Sequence, residues 1–251
     1  TMEQNDRTDT LDHRPATGPS LLLLGIWLRS IFVGAAFALA GCEQLHVESI
    51  PTGEVIACDP AFAGWWRVES ETVDDAGDDP MHLHVDADCA HWVSVETDAD
   101  GKREREDLSE KMRFEFRRVN DDVYLAVSDR DPGESGKREV GDGHVLLRYV
   151  ARADRIDLFD GDPRREAHRI AEGLVSGKVE TGSHANCGAD GKCSVNTMIT
   201  GDGDAIAAWL KRFDPIDRAF MELRRVDAEQ QAQLDALLNN PPADGLPKPH
   251  E

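Results

Sequence analysis

Two histidines one residue apart, His82 and His84, with His91 across a turn, are the residues of this chain best spaced for metal chemistry. On a strand, positions i and i+2 share a face, so the imidazoles of His82 and His84 project together and could bind one divalent ion. Alternating polar residues on the wet face of a strand give the same spacing without a metal, and that reading is favoured. Asp98, Asp100 and Gly101 imitate the opening of a calcium loop, as do Asp202 and Asp204. Neither run has a glutamate at the offset that a bidentate ligand requires, so a hairpin turn and a helix cap are expected. No Gly-x-Ser-x-Gly elbow occurs, and Gly201-Asp202-Gly203 continues to Ile206 where a dinucleotide-binding turn needs its third glycine. Acidic pairs are too abundant for any one to mark a glycosidase dyad. Trp65, Trp66, Trp92 and Trp209 are large enough to line a ligand pocket, although core packing is the plainer use of such rings. No catalytic residue, metal site or cofactor is therefore expected.

The cysteines carry more. Cys42 closes Leu39-Ala40-Gly41-Cys42, at the end of an apolar run from Ser30 to Ala40 that Arg29 introduces. Leu21 to Gly41, at about 20 residues, has the length of a bilayer span. Arg29 in its middle would then cost about 2.5 to 3.5 kcal/mol, whereas it serves as the positive flank of a shorter segment. Small residues next to a cysteine give a signal peptidase access to the bond. The segment resembles the lipobox signal of bacterial lipoproteins. That resemblance implies removal of residues 1–41 and acylation of Cys42 on its sulfur and on its new amine. Each buried methylene contributes about 0.8 kcal/mol, and two or more chains make attachment stable. Glu43 follows the cysteine where an aspartate would signal retention in the inner membrane, so the resemblance implies the periplasmic face of the outer membrane. The segment before Ser20 is longer and more polar than a signal needs, which a translation start placed too far upstream explains.

The other four cysteines, Cys58, Cys89, Cys187 and Cys193, form an even set suited to an oxidising compartment. Three connectivities are open. Cys58 with Cys89 and Cys187 with Cys193 is preferred, since the second pair brackets a Gly-Ala-Asp-Gly-Lys turn. Loop entropy gives about 3.7 kcal/mol for the longer loop and about 2.4 for the shorter. No Cys-x-x-Cys is present, and the spacings fit no usual zinc finger.

The chain holds 28 basic and 49 acidic residues, a net charge of -21, to which the first 41 residues contribute only a small part. A field of that sign repels phosphate backbones, so nucleic acid is an unsuitable partner. The 210 residues from Cys42 to Glu251 suffice for one sizeable core.

Residues 42–57, with Pro51-Thr52-Gly53, read as a membrane-tethering linker, and the folded domain is expected over 58–226. Nine strands are expected, at Phe62 to Ser70, Met81 to Asp86, His91 to Thr97, Lys111 to Val119, Asp122 to Ser128, Gly143 to Ala151, Arg155 to Phe159, Ser194 to Thr200 and Arg218 to Val226. Alternation is clearest where Met112, Phe114 and Phe116 interleave with Arg113, Glu115 and Arg117, which buries one face and wets the other. Three helices are expected: Asp162-Pro163 to Ala171, Asp202 or Gly203 to Phe213, and a polar one capped by Asp227 within a C-terminal 227–251 segment that ends in a disordered tail.

Gly64-Trp65-Trp66 contains the Gly-x-Trp of lipocalin-type barrels. With Asp59-Pro60-Ala61 before it, and with Arg155 to Leu158, Ile199 to Leu210 and Met221-Glu222-Leu223-Arg224-Arg225 after it, the chain resembles a group of small lipocalin-like bacterial lipoproteins. The resemblance implies that Trp66 packs across the closed end of a barrel. The expected fold is α+β, predominantly antiparallel β, a lipocalin-like small barrel with a few peripheral helices. The expected function is that of a lipid-anchored, non-enzymatic envelope lipoprotein binding a protein partner, or a small apolar ligand in or around the barrel, the latter favoured if a cavity lined by Phe114, Phe116 and tryptophans is present. The alternative is an envelope hydrolase using carboxylates or a His82, His84 metal site.

Overall fold

A computed structural model describes residues 43–69, 81–97, 103–130, 143–181 and 194–239. The signal segment with Cys42, the Asp98-Asp100-Gly101 run, Cys187, Cys193 and residues 240–251 lie outside the described residues. In chain order the strands are β1 (Leu45–Val47), β2 (Glu54–Ile56), β3 (Gly64–Glu69), β4 (His82–Val85), β5 (Trp92–Thr97), β6 (Arg103–Asp107) and β7 (Met112–Val119). There follow β8 (Asp122–Asp129), β9 (His144–Ala151), β10 (Arg155–Gly161), β11 (Gly177–Thr181), β12 (Val195–Ile199) and β13 (Ile216–Arg225). Four α-helices complete the described residues: α1 (Leu108–Lys111), α2 (Pro163–Ala171), α3 (Gly203–Phe213) and α4 (Ala228–Asn239).

The expected strands are all present. The main path runs β7-β8-β9-β10-β13-β3-β4-β5-β6 with every pair antiparallel, and it curls into a half-barrel. Helix α1 crosses the gap between the two ends of the path, capped by Asp107, whose carboxylate accepts from the Ser109 N–H at 2.9 Å. The concave face holds the larger core, with Phe62, Trp66, Leu83, Trp92, Phe116, Leu125, Leu147, Ile156 and Leu223 among its buried members. Hairpin turns set the register of neighbouring strands, as at Asn120, whose φ of +56° suits an asparagine.

Strands β8 and β9 are buried on both faces. Leu125, Val127 and Leu147 point into the half-barrel, while Tyr124, Ala126 and Leu146 belong to a second core outside it. That second core is roofed by α3 through Ile206, Trp209 and Leu210. Burial of the Tyr124 ring pushes its hydroxyl pKa up to about 12. The helix caps are those expected: Asp162 accepts from the N–H groups of Arg164 and Arg165, and Asp202 from that of Ala205.

The expected linker over residues 42–57 is corrected from Glu43 onward. Leu45 and Val47 are buried because β1 lies between β12, to which it is parallel, and the first half of β9, to which it is antiparallel. The N–H of Gln44 donates to Asn196 Oδ1 at 3.1 Å, and Glu43 pairs with Arg164. Strand β2 pairs with β7 at the edge of the half-barrel, leaving Val55 exposed. A segment that fills a sheet position in this way cannot act as a spacer.

The C-terminal helix is also more than an appendage. Trp65 and Val95, on the convex face of β3 and β5, form a third cluster with Val226 and with Leu234, Leu237 and Leu238. Trp65 Nε1 donates to Asp235 Oδ1 at 2.8 Å, which fixes α4 against the sheet.

Candidate functional site

The residues around Gly64 form one connected set of contacts with the concave core. Asp59 caps the short 3-10 turn Pro60–Phe62 by accepting from Ala61 N–H, and its other oxygen accepts from the Tyr149 hydroxyl at 2.8 Å. Burial and that hydrogen bond together push the Tyr149 hydroxyl pKa far upward. The turn drives Phe62 into the core, where its ring meets Trp92, Phe116 and Tyr149. A disulfide joins Cys58 to Cys89, with Cα atoms 5.4 Å apart, and so ties this turn to the β4–β5 connection. Trp66 has no exposed surface, and its Nε1 donates to Phe62 O at 2.6 Å. The guanidinium of Arg225 sits 3.9 Å above the Trp66 ring and donates to the carbonyls of Ala63 and Ala61. Gly64 has φ +104°, and a Cβ there would stand 2.8 Å from Arg225 Nη1, so a glycine is required beside this stack.

The interior is filled. Between Phe62, Trp92, Leu125, Leu158 and Leu223 the remaining void is about 10 Å³, room for one water at most. Phe114 stacks on Trp92 at 4.2 Å, and both belong to the packing of this core. The four tryptophans serve as core, the plainer use of their rings, and do so in three separate places: Trp66 and Trp92 lie in the concave core, Trp65 under α4, and Trp209 in the second core.

The histidines do not converge either. His82 and His84 share the convex face of β4 as the spacing predicts, but their neighbours differ. His82 stands opposite Arg67, a cation that opposes a bound metal, whereas the His84 ring packs 4.8 Å from that of Trp65. His91 is exposed, with Nδ1 3.5 Å from Asp107 Oδ2. Among the described residues no three His, Cys, Asp or Glu side chains are grouped as metal ligands.

Two histidines nevertheless link stability to pH. Burial lowers the pKa of His46, a β1 residue between β9 and β12, against an opposing pull from Asp129, and His144 lowers it further. Burial beside Trp65 likewise lowers that of His84, against Asp86 and Asp235. The unfolded chain then takes up more protons than the folded chain as pH falls through the ordinary histidine range. This part of the stability is fully present above about pH 6.5 and is lost as pH falls through the lowered values. Melting temperature is expected to be flat above that pH and to decline below it, and His46→Gln with His84→Gln should flatten the decline between about pH 6.5 and 5. An identical slope in that double variant would locate the dependence elsewhere.

One feature that residue spacing did not reveal is a cleft of about 440 Å³ lined by Arg67, Arg152, Arg155, Arg224 and Arg225. Arg155 stands opposite Arg224, and Arg224 opposite Arg67, on the adjacent strands β10, β13 and β3. Each arginine reads alone as a solvated position, and only the register aligns them. Compared with protein-family models, with curated proteins and with solved structures, the chain has no match.

Proposed function

We propose that this chain is a lipid-anchored lipoprotein of the cell envelope that works without catalysis, binding a protein partner on its exterior from a lipocalin-like scaffold. The observation that carries the exterior reading is the filled concave core, whose void of about 10 Å³ is far below the roughly 300 to 1,000 Å³ that small-molecule sites occupy. An apolar ligand held inside, the other expectation, would have to displace Phe62, Trp92 and their neighbours. The lipocalin-like reading is supported by the complete burial of Trp66 in the concave core, by the antiparallel meander, and by β13, which pairs both β10 and β3.

The membrane anchor rests on Cys42 and the segment before it. With Glu43 and Gln44 already bound to Arg164 and Asn196, acyl chains on Cys42 would hold the domain close against the bilayer rather than lifted from it. Among the described residues no helix is long and apolar enough to cross a membrane. Intact mass and membrane fractionation of the native protein beside Cys42→Ala test this reading. An acylated species beginning at Cys42, lost in the variant, is the expected result. A protein of unprocessed mass that stays in the membrane in both forms would replace the lipoprotein with a single-span protein.

A further inference from the structure

We propose that the arginine cleft on the convex face of β10, β13 and β3 is a binding site for a small oligoanion carrying two or more linked phosphate groups. Two rows of charge cross these strands in register. Asp157, Glu222 and Glu69 form an acidic row, and Arg155, Arg224 and Arg67 form a basic row two residues along each strand. Like charges placed directly opposite on neighbouring strands destabilise a sheet, and a checkerboard of the same six residues would remove that cost. The segregation thus works against folding and concentrates guanidinium groups on one side, where the cleft opens.

The other walls reinforce that side. Arg152, from the β9–β10 turn, reaches the same cleft, and Arg225 lies at its inner wall, committed to Trp66 and two carbonyls, where it adds charge rather than new contacts. Asp154, Asp227 and Gln230 are its remaining polar lining. The row arginines are half-exposed, at 36% for Arg155, 49% for Arg224 and 38% for Arg67, so a solute can reach them.

The acidic row is the built-in competitor. Arg67 pairs with Glu69, Arg155 with Asp157 and Glu222, and Arg224 with both Glu69 and Glu222. A single carboxylate offers no more than these glutamates already supply. Phosphate oxygens accept from several guanidiniums at once, and strands lie about 4.8 Å apart. Two linked phosphates therefore span the row as no one carboxylate does. A cleft of about 440 Å³ has the size of a small-molecule site. The net charge of -21 disfavours long polyanions, which would extend beyond the cleft into the acidic surface.

Isothermal titration of the full chain with sodium pyrophosphate at low salt tests the proposal. Saturable one-to-one binding is expected, weakened about tenfold or more in Arg224→Gln and unchanged in Arg113→Gln, an exposed arginine on β7. Glu222→Gln removes a competitor and should tighten binding, a direction that a merely structural ion-pair network would not produce. Circular dichroism melts show that each variant is folded. Vesicles with and without a lipid that carries a diphosphate headgroup separate the sources: release of bound vesicles by pyrophosphate indicates a lipid headgroup, and pyrophosphate binding without vesicle binding indicates a soluble ligand. No saturable heat with the native protein, or equal binding in Arg224→Gln, overturns the proposal.

Discussion

Truncation of Trp66 to alanine is expected to lower unfolding free energy by about 3 to 5 kcal/mol, a large share of the roughly 5 to 15 kcal/mol available to a domain. The side chain has no exposed surface, so its loss opens a cavity in the concave core rather than a surface dent. Two further contacts go with it: the Nε1 hydrogen bond to Phe62 O and the stack beneath Arg225. Arg225 would then be held only by the carbonyls of Ala61 and Ala63, with burial already lowering its pKa. Urea unfolding followed by circular dichroism measures the change, and Trp66→Phe, which keeps a ring but loses the donor, should be milder. A loss below about 1 kcal/mol in Trp66→Ala would mean that this ring does not close the core. The disulfide nearby limits the unfolded chain but supplies none of this packing.

The second large effect is expected in the outer core, at Glu166. This α2 carboxylate has no exposed surface; Oε1 accepts from Arg169 Nη1 at 2.6 Å and Oε2 from Trp209 Nε1 at 3.0 Å. Arg165 Nε lies 3.4 Å from Oε1, and Arg169 also stacks 4.6 Å above the Phe213 ring. Glu166→Ala leaves the Arg169 charge and the Trp209 N–H without their acceptor in a largely buried network, at a cost of about 3 to 5 kcal/mol. Glu166→Gln keeps the shape but turns an amide N–H toward a donor, and should recover only part of the loss. Trp209→Phe removes one hydrogen bond to the buried carboxylate and should cost less, about 1.5 to 3 kcal/mol. Equal losses in Glu166→Ala and Trp209→Phe would show that the carboxylate is not the centre of this network. Thermal melts followed by circular dichroism report the outcome in every variant, including Trp209→Phe, which lacks the indole.

The elements whose pattern is local were legible in the sequence. Met112, Phe114 and Phe116 alternate because a strand has a period of two, and β7 puts them on the concave side. Asp162, Asp202 and Asp227 each lie one residue before a helix, since a carboxylate there meets backbone N–H groups that the helix leaves unpaired. Cys58 and Cys89 pair as the spacing suggested. Strands β6 and β11 were not legible, for Arg103–Asp107 is wholly charged and Gly177–Thr181 nearly all polar. Both are held by hydrogen bonds to a neighbouring strand, and a backbone ladder leaves no trace in side-chain hydropathy.

What the sequence alone determined about this protein is therefore its β-rich composition, its helix ends, its turns, its acidic charge and the residues around Gly64 and Trp66. Each follows from interactions among residues within a few positions of one another, or from the simple count of charges. Tertiary structure alone decided that β1 belongs to the sheet, that four tryptophans serve three separate cores, and that Glu166 is buried. It also aligned Arg155, Arg224 and Arg67, which lie far apart in the chain, across one cleft. Register between distant strands is set by the summed packing of both faces, and no local pattern of residues encodes that sum.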